Sequence, residues 1–256
     1  MNPTTSHEAL VASTRRYHFF EWLWLIVAIP VFGLPIYTTF VTVAWLTTNF
    51  GALGWIAGIP FTFFVAILLI VLTTGLFTRM LHKIEPGCYA LGAQSHAVTH
   101  WLLRYGISNY LRLSGIHPLV LSNPTTRRIY FWLHGAHINP TSRIAYDVRL
   151  LDISLIQVGE GSKIGAMTTI SGHYSNEHSF VLGRIVIGKN VLIGGNALIG
   201  PNTVFGDGSV LEATSSVLPG TKIGAGEIWG GNPARLRRTC RSINDTPAEV
   251  HHVTAL

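Results

Sequence analysis

Two patterns of apolar and polar positions divide the chain. The first is a block from Trp22 to Thr78 that contains no Asp, Glu, Lys or Arg. About 20 apolar residues cross a bilayer, so the block suits two spans joined by a turn. The polar, glycine-bearing stretch Thr47–Gly54 is the natural turn, giving helices over roughly 22–46 and 55–78. Pro30, Gly33 and Pro35 are expected to kink the first. A buried hairpin in a soluble core is disfavoured, because a soluble helix keeps a polar face. The second pattern begins at Ile187 and runs in sixes: IGKNVL, IGGNAL, IGPNTV, FGDGSV, LEATSS, VLPGTK, IGAGEI, WGGNPA. The leads are Ile187, Ile193, Ile199, Phe205, Leu211, Val217, Ile223 and Trp229, and Gly follows in six of the eight. Neither a period of 3.6 nor one of 2 explains this spacing; a parallel β-helix does. Each lead points inward, the small fifth residue fits a corner, and Gly or Asn takes the backbone angles of the turn.

VGEGSK and IGAMTT, from Val158 and Ile164, extend the repeat upstream, and Ile138 and Ile144 begin it in a shifted register. The phase breaks between Ile170 and Ile187, so Ser171–Phe180, with His173, Glu177 and His178, must leave the coil as a loop. A polar loop on a rigid scaffold is where chemistry is expected.

Composition sharpens this division. Of 256 residues, 48% are hydrophobic and 12% charged, about half the usual charged fraction, which argues against an ordinary soluble globule and against disorder. The net charge of +6 is matched by residues 79–149, where Arg79, Lys83, Arg104, Arg112, Arg127, Arg128, Arg143 and Arg149 face only Glu85 and Asp147. Trp101, Leu102, Leu103, Tyr105, Tyr110, Leu111 and Leu113 interleave with Arg104 and Arg112, the pattern of a helix lying among lipid headgroups. No nucleic-acid motif accompanies the charge, so nucleic acid is not an expected partner. Arg15 and Arg16 before the hairpin and Arg79 and Lys83 after it place both ends on the cytoplasmic side. Cys88 and Cys240 are too few for a disulfide framework and are expected to be reduced and inert.

The expected fold is therefore a left-handed parallel β-helix preceded by a two-helix transmembrane hairpin and short interfacial helices. The expected units are a tail (1–21), the hairpin (22–78), a basic interfacial linker (79–136), the β-helix (137–234), and a basic, then flexible, tail (235–256).

The hexads and the His-bearing loop resemble the hexapeptide-repeat acyltransferases over about 137–238. Pro86-Gly-Cys-Tyr89, Asp152-Ile-Ser-Leu-Ile156 and Trp229-Gly-Gly-Asn-Pro-Ala234 resemble the membrane-attached C-terminal domains of poly-lysine-synthetase-type (Pls) non-ribosomal peptide synthetases, although this chain shows no adenylation or carrier segment. Sugar O-acetyltransferases of exopolysaccharide assembly are also similar over the repeats. The resemblance implies transfer of an acyl group, most simply acetyl, from a coenzyme A thioester to a hydroxyl or amine, with no metal. His173 matches the family's general base. Glu177 and Asp152 are both available to orient it, and Asp152 and His178 are candidates for contact with the acceptor. The backbone N–H of Gly195 matches the oxyanion donor. Ala213 and Leu218 match the path of the pantetheine arm, and Lys222, Arg235, Arg237 and Arg238 could meet the coenzyme phosphates. Family precedent further implies a homotrimer. With the hairpin, it implies a lipid-linked sugar or amine acceptor at the cytoplasmic face of a bacterial inner membrane. Two other readings compete. His173 and His178 have a spacing that could serve zinc in a γ-carbonic-anhydrase-like enzyme, and a β-helix on an anchor could be a non-catalytic scaffold.

Overall fold

A computed structural model describes residues 3–90, 96–176 and 179–239. Helix α1 (Pro3–Phe50) runs without a break in helical structure through Pro30 and Pro35, and α2 (Ala52–Met80) follows after Gly51 alone. The turn expected over 47–54 thus contracts to one residue. Gly51 supplies the positive φ of 57° that the reversal requires, and Thr47 and Thr48 stay helical by donating their hydroxyls to Val43 O (2.7 Å) and Ala44 O (2.9 Å). Inside α2, Thr62, Thr74 and Thr78 do the same to Gly58, Ile70 and Thr74, so the polar atoms are satisfied within the helix. Leu25–Phe50 and Ala52–Met80 are long and apolar enough to cross a membrane, and large side chains such as Ile29, Phe40, Trp45, Ile56 and Phe64 point outward from them.

Four short elements follow: β1 (Gly87–Ala90), α3 (His96–Leu113), α4 (His117–Ser122) and α5 (Pro124–His134). Asn123 caps α5 by accepting from Thr125 N and Thr126 N, and Gly135 ends it at a φ of 78°. The two arginines of the interleaved segment differ in their surroundings. Trp101, Arg104, Ile107 and Leu111 are buried in protein, so that face of α3 packs inward rather than into a headgroup layer, while Leu113 is exposed.

The β-helix comprises five coils. The first has β2 (His137–Ile138), β3 (Arg143–Ile144) and β4 (Arg149–Leu150). The second has β5 (Ile156–Val158), β6 (Lys163–Ile164) and β7 (Thr169–Ile170). An excursion, β8 (His173–Ser175) and β9 (Ser179–Leu182), precedes the third coil of β10 (Ile185–Ile187), β11 (Leu192–Ile193) and β12 (Leu198–Ile199). The fourth has β13 (Val204–Phe205), β14 (Val210–Leu211) and β15 (Ser216–Val217), and the last has β16 (Lys222–Ile223) and β17 (Glu227–Gly230). Parallel pairing stacks them into three faces: β2-β5-β10-β13-β16, β3-β6-β11-β14-β17 and β4-β7-β12-β15. This is the left-handed parallel β-helix class, preceded by two apolar helices.

The hexad explains the coil position by position. Leads such as Ile164, Ile193, Ile199, Phe205 and Leu211 fill the interior. The fourth residue takes the left-handed turn, as at Asn190, Asn196, Asn202 and Gly208. The second-position glycine has a different reason: a side chain on Gly194 would run into the backbone of Ala213 in the next coil. Most fifth residues are small and buried, as at Ser162, Ala197, Thr203, Ser209 and Ser215, and Ser162 Oγ donates to Gly188 O at 2.7 Å. Residues 235–239, expected in a tail, form a strand, β18 (Arg235–Thr239), antiparallel to β17.

Val31, Ile67, Ile70 and Val71 of the long helices join the same buried cluster as Leu111, Leu133 and the coil interior. The hairpin is therefore packed on the helices that lead into the first coil.

Candidate active site

The excursion leaves where the face containing β7 turns toward the face containing β10. It is not an irregular loop: β8 and β9 pair antiparallel, and β9 pairs with β1, giving the sheet β1-β9-β8. Phe180 and Leu182 on β9 are buried with Ile84, Trp101 and Leu155, which fixes the hairpin against α3. Gly172 permits the approach; a Cβ there would lie 2.9 Å from Leu155 Cδ1 and 3.0 Å from Asp152 Cβ.

This places His173 over Asp152. The imidazole Nδ1 is 2.7 Å from Asp152 Oδ2, with side-chain exposures of 21% and 1% respectively. A carboxylate only accepts, so Nδ1 carries the proton and donates it. The other carboxylate oxygen, Oδ1, accepts from Trp101 Nε1 at 2.6 Å. Ser171 Oγ donates to the His173 carbonyl at 2.8 Å and lies 3.3 Å from Nδ1. Trp101, Tyr105 and Phe180 surround the ring at centroid distances of 5.0, 5.5 and 6.0 Å. Among the described residues nothing bonds Nε2, so the partly exposed ring keeps a lone pair there to accept a proton.

Of the two acids named as able to orient His173, Asp152 is the one that hydrogen-bonds it among the described residues. Both its oxygens accept hydrogen bonds and it is buried, an arrangement suited to holding His173 rather than to contact with an acceptor. Glu177 and His178 lie outside the described residues. Asp152 and His173 follow the leads Leu150 and Ile170, which pair between successive coils. Coil arithmetic could therefore have joined them from sequence. Trp101 had no such signal; it comes from a separate helix.

Gly195 and Ala213 follow β11 and β14, on the edge next to the one that carries His173. Gly195 lines a shallow hollow with Arg143, Lys163 and Leu192. Leu218 is half exposed on the His173 edge, in the fourth coil. Lys222 lies in the fifth coil, and Arg235, Arg237 and Arg238 lie on β18, where Arg237 Nε is 3.9 Å from Glu212. With strands about 4.8 Å apart, the fifth coil stands roughly 14 Å along the axis from the second. One chain thus brings together His173 and Asp152, sets Leu218 and Lys222 above them, and leaves Gly195 and Ala213 on another edge.

The buried histidines nearby are neutral. Burial pushes His134 down to about 4, and burial together with Arg112 pushes His117 down to about 4. His134 Nδ1 bonds Tyr130 O at 3.0 Å, while its Nε2 has no partner among the described residues. Burial also lowers the Arg104 guanidinium from its ordinary value. Among the described residues no group of three or more His, Cys, Asp or Glu converges as a metal site would require. Cys88 is a free, exposed thiol, and Cys240 lies outside the described residues.

Six-residue leads and three parallel faces decide the architecture. The chain carries a hexapeptide-repeat β-helix. No family profile and no curated protein matches it in sequence. Solved structures similar to it include a hexapeptide-repeat acetyltransferase of Vibrio cholerae, at 20% identity and TM-score 0.41 over 52% of this chain and 91% of that one. A maltose O-acetyltransferase of Clostridium difficile 630 is similar at 18% identity and TM-score 0.42, over 50% and 84%. A galactoside acetyltransferase solved with coenzyme A is similar at 21% identity and TM-score 0.42, over 57% and 84%.

Proposed function

We propose that this chain is a membrane-anchored acyltransferase that moves an acyl group, most simply acetyl, from coenzyme A to a hydroxyl or amine. The observation that carries the proposal is the His173–Asp152 pair, with Nδ1–H committed to a buried carboxylate and Nε2 without a partner among the described residues. The Nε2 lone pair removes the proton from the acceptor O–H or N–H as that atom attacks the thioester carbonyl. The C–S bond then breaks, and the proton on Nε2 passes to the departing thiolate. Asp152 holds the tautomer and stabilises the imidazolium while it exists.

A backbone donor for the oxyanion is also required. Gly195 sits one edge away from His173, so in this reading the donor comes from a second copy of the chain. A closed trimer would bring one copy's Gly195 edge to the next copy's His173 edge. The pantetheine arm would then run up past Leu218 and Ala213 to phosphates met by Lys222, Arg235 and Arg238. The two apolar helices would span the membrane. Arg79 and Lys83 would place the β-helix at the cytoplasmic face of a bacterial inner membrane, facing a lipid-linked sugar or amine.

The test is acetyl-CoA consumption by the purified full-length protein in nanodiscs, against a panel of sugar and amine acceptors. His173→Gln should abolish turnover while coenzyme A still binds. Full activity in that variant would refute the assignment of the base.

A further inference from the structure

The Asp152 carboxylate is held from two sides by elements far apart in sequence. His173, on the coil excursion, donates to Oδ2, and Trp101, on α3, donates to Oδ1 at 2.6 Å. Trp101 is buried, stacks on Tyr105 at 5.2 Å and meets Phe180 at 4.4 Å, so its indole has little freedom to turn. The helix that carries it is itself tied. One turn on, the buried Arg104 donates from Nε to His82 O (3.0 Å) and from Nη2 to Leu81 O (2.9 Å). Those two carbonyls lie just beyond the last turn of α2. Two sets of hydrogen bonds, joined through the one helix that carries both Arg104 and Trp101, therefore connect the end of an apolar helix to the imidazole: Leu81 and His82 to Arg104, and Trp101 through Asp152 to His173.

We infer that Trp101 is a positioning residue through which α3, and by way of Arg104 the end of α2, sets the orientation and tautomer of His173. The inference rests on His173 being the base. A buried carboxylate with only one donor can turn about its Cβ–Cγ bond, and its unpaired oxygen then competes for the Nδ1 proton. With Nε1–H fixing Oδ1, the carboxylate is held with Oδ2 aimed at Nδ1–H, and Nε2 is directed away from it. The indole thus acts on the reaction through Asp152, while its ring walls one face of the imidazole. It also makes the site depend on the junction between α2 and α3, which the β-helix alone does not contain.

The experiment uses the full-length protein in nanodiscs with Trp101→Phe, and with benzothienylalanine at the same position, which replaces only the indole N–H by sulfur. Supporting partners of a catalytic group are commonly worth 10- to 100-fold in activity, so kcat should fall about tenfold or more with the KM for acetyl-CoA within about twofold. Without the indole donor, the carboxylate charge falls more fully on His173 and favours the imidazolium. The acid limb of the kcat/KM profile should accordingly move to higher pH. Nitrogen NMR of labelled histidine, with His173→Gln identifying the signal, should show the Nδ1–H form in the unmodified protein and a mixture in both variants. Arg104→Met should lower kcat alone and add nothing to Trp101→Phe. An unchanged kcat, acid limb and histidine tautomer in folded Trp101→Phe would overturn the inference. Additive losses would overturn the link through Arg104. If His173→Gln stays active, the base assignment fails, and the tautomer measurement still decides whether Trp101 positions the ring.

Discussion

The Arg79 guanidinium lies 4.1 Å from the centre of the Trp132 ring, and its Nη2 donates to the Trp132 carbonyl at 2.7 Å. One turn back on α2, Gly75 faces the next residue of α5, where a Cβ would come within 2.5 Å of Leu133 Cβ. The end of the second apolar helix is clasped to the helix that feeds the first coil. Gly75→Leu should therefore overpack the junction and destabilise the protein by about 1–3 kcal/mol. Thermal unfolding in a fixed detergent checks this, with Gly33→Leu, where a Cβ meets nothing within 4 Å, as the tolerated control.

Asp152→Asn should reduce turnover by roughly a hundredfold or more, a loss typical of a disabled acid–base group. An amide can present N–H to Nδ1 and so stabilise the tautomer that carries its proton on Nε2, leaving no lone pair for the acceptor. Coenzyme A binding, measured by calorimetry, should stay within about threefold because Asp152 is buried and both its oxygens are engaged by Trp101 and His173.

Two coil corners place side chains in the left-handed region without the usual Gly or Asn: Met167 at a φ of 60° and Thr214 at 58°. The β-branched Thr214 is the more strained of the two. Thr214→Asn should raise stability by about 0.5–1 kcal/mol and leave turnover unchanged, provided the loss of its hydroxyl bond to Ala213 O is minor. A higher melting temperature would confirm the strain; a lower one would show that the hydroxyl outweighs it.

His117 and His134 are both held down to about 4 in the folded chain, against 6.5 for a free histidine. Unfolded chains bind these two protons below about 6.5, whereas the folded protein binds them only near 4. Stability is therefore fully present above 6.5 and is lost as the pH falls toward 4, by an amount on the order of a few kcal/mol for the pair. Melting temperatures should drop between pH 7.5 and 5. His117→Leu should flatten that dependence; a slope unchanged in this variant would assign it to other groups.

Much of the fold was legible because a β-helix repeats its constraints every six residues. Each lead from Ile187 to Ile223 restates the same inward direction, and each fourth residue restates the same turn. The charge-free block was legible for the opposite reason, the length of a run without exceptions. The extent of the turn was not, since threonine hydroxyls that look polar in sequence return to their own helix at Thr47 and Thr48. The inward face of α3 was hidden too. Arg104 reads as a surface cation, yet it finds two backbone carbonyls inside the protein. At the site, His173 stood out through the break in register. Its partner was one of two acids, and only the stacking of successive coils selects Asp152. Trp101 depends on a helix docking beside the coils, a relation to which no local pattern refers.

The strand β18 closes one of the three faces of the solenoid by reversing direction against β17. Without it, the uppermost rung would offer a free row of amides and carbonyls to any strand passing by. Arg235, Arg237 and Arg238 on that strand are exposed, so two chains meeting head-on would confront like charges instead of matching ladders. On that face the ladder is closed and guarded by charge, which opposes continuation of a scaffold built to repeat.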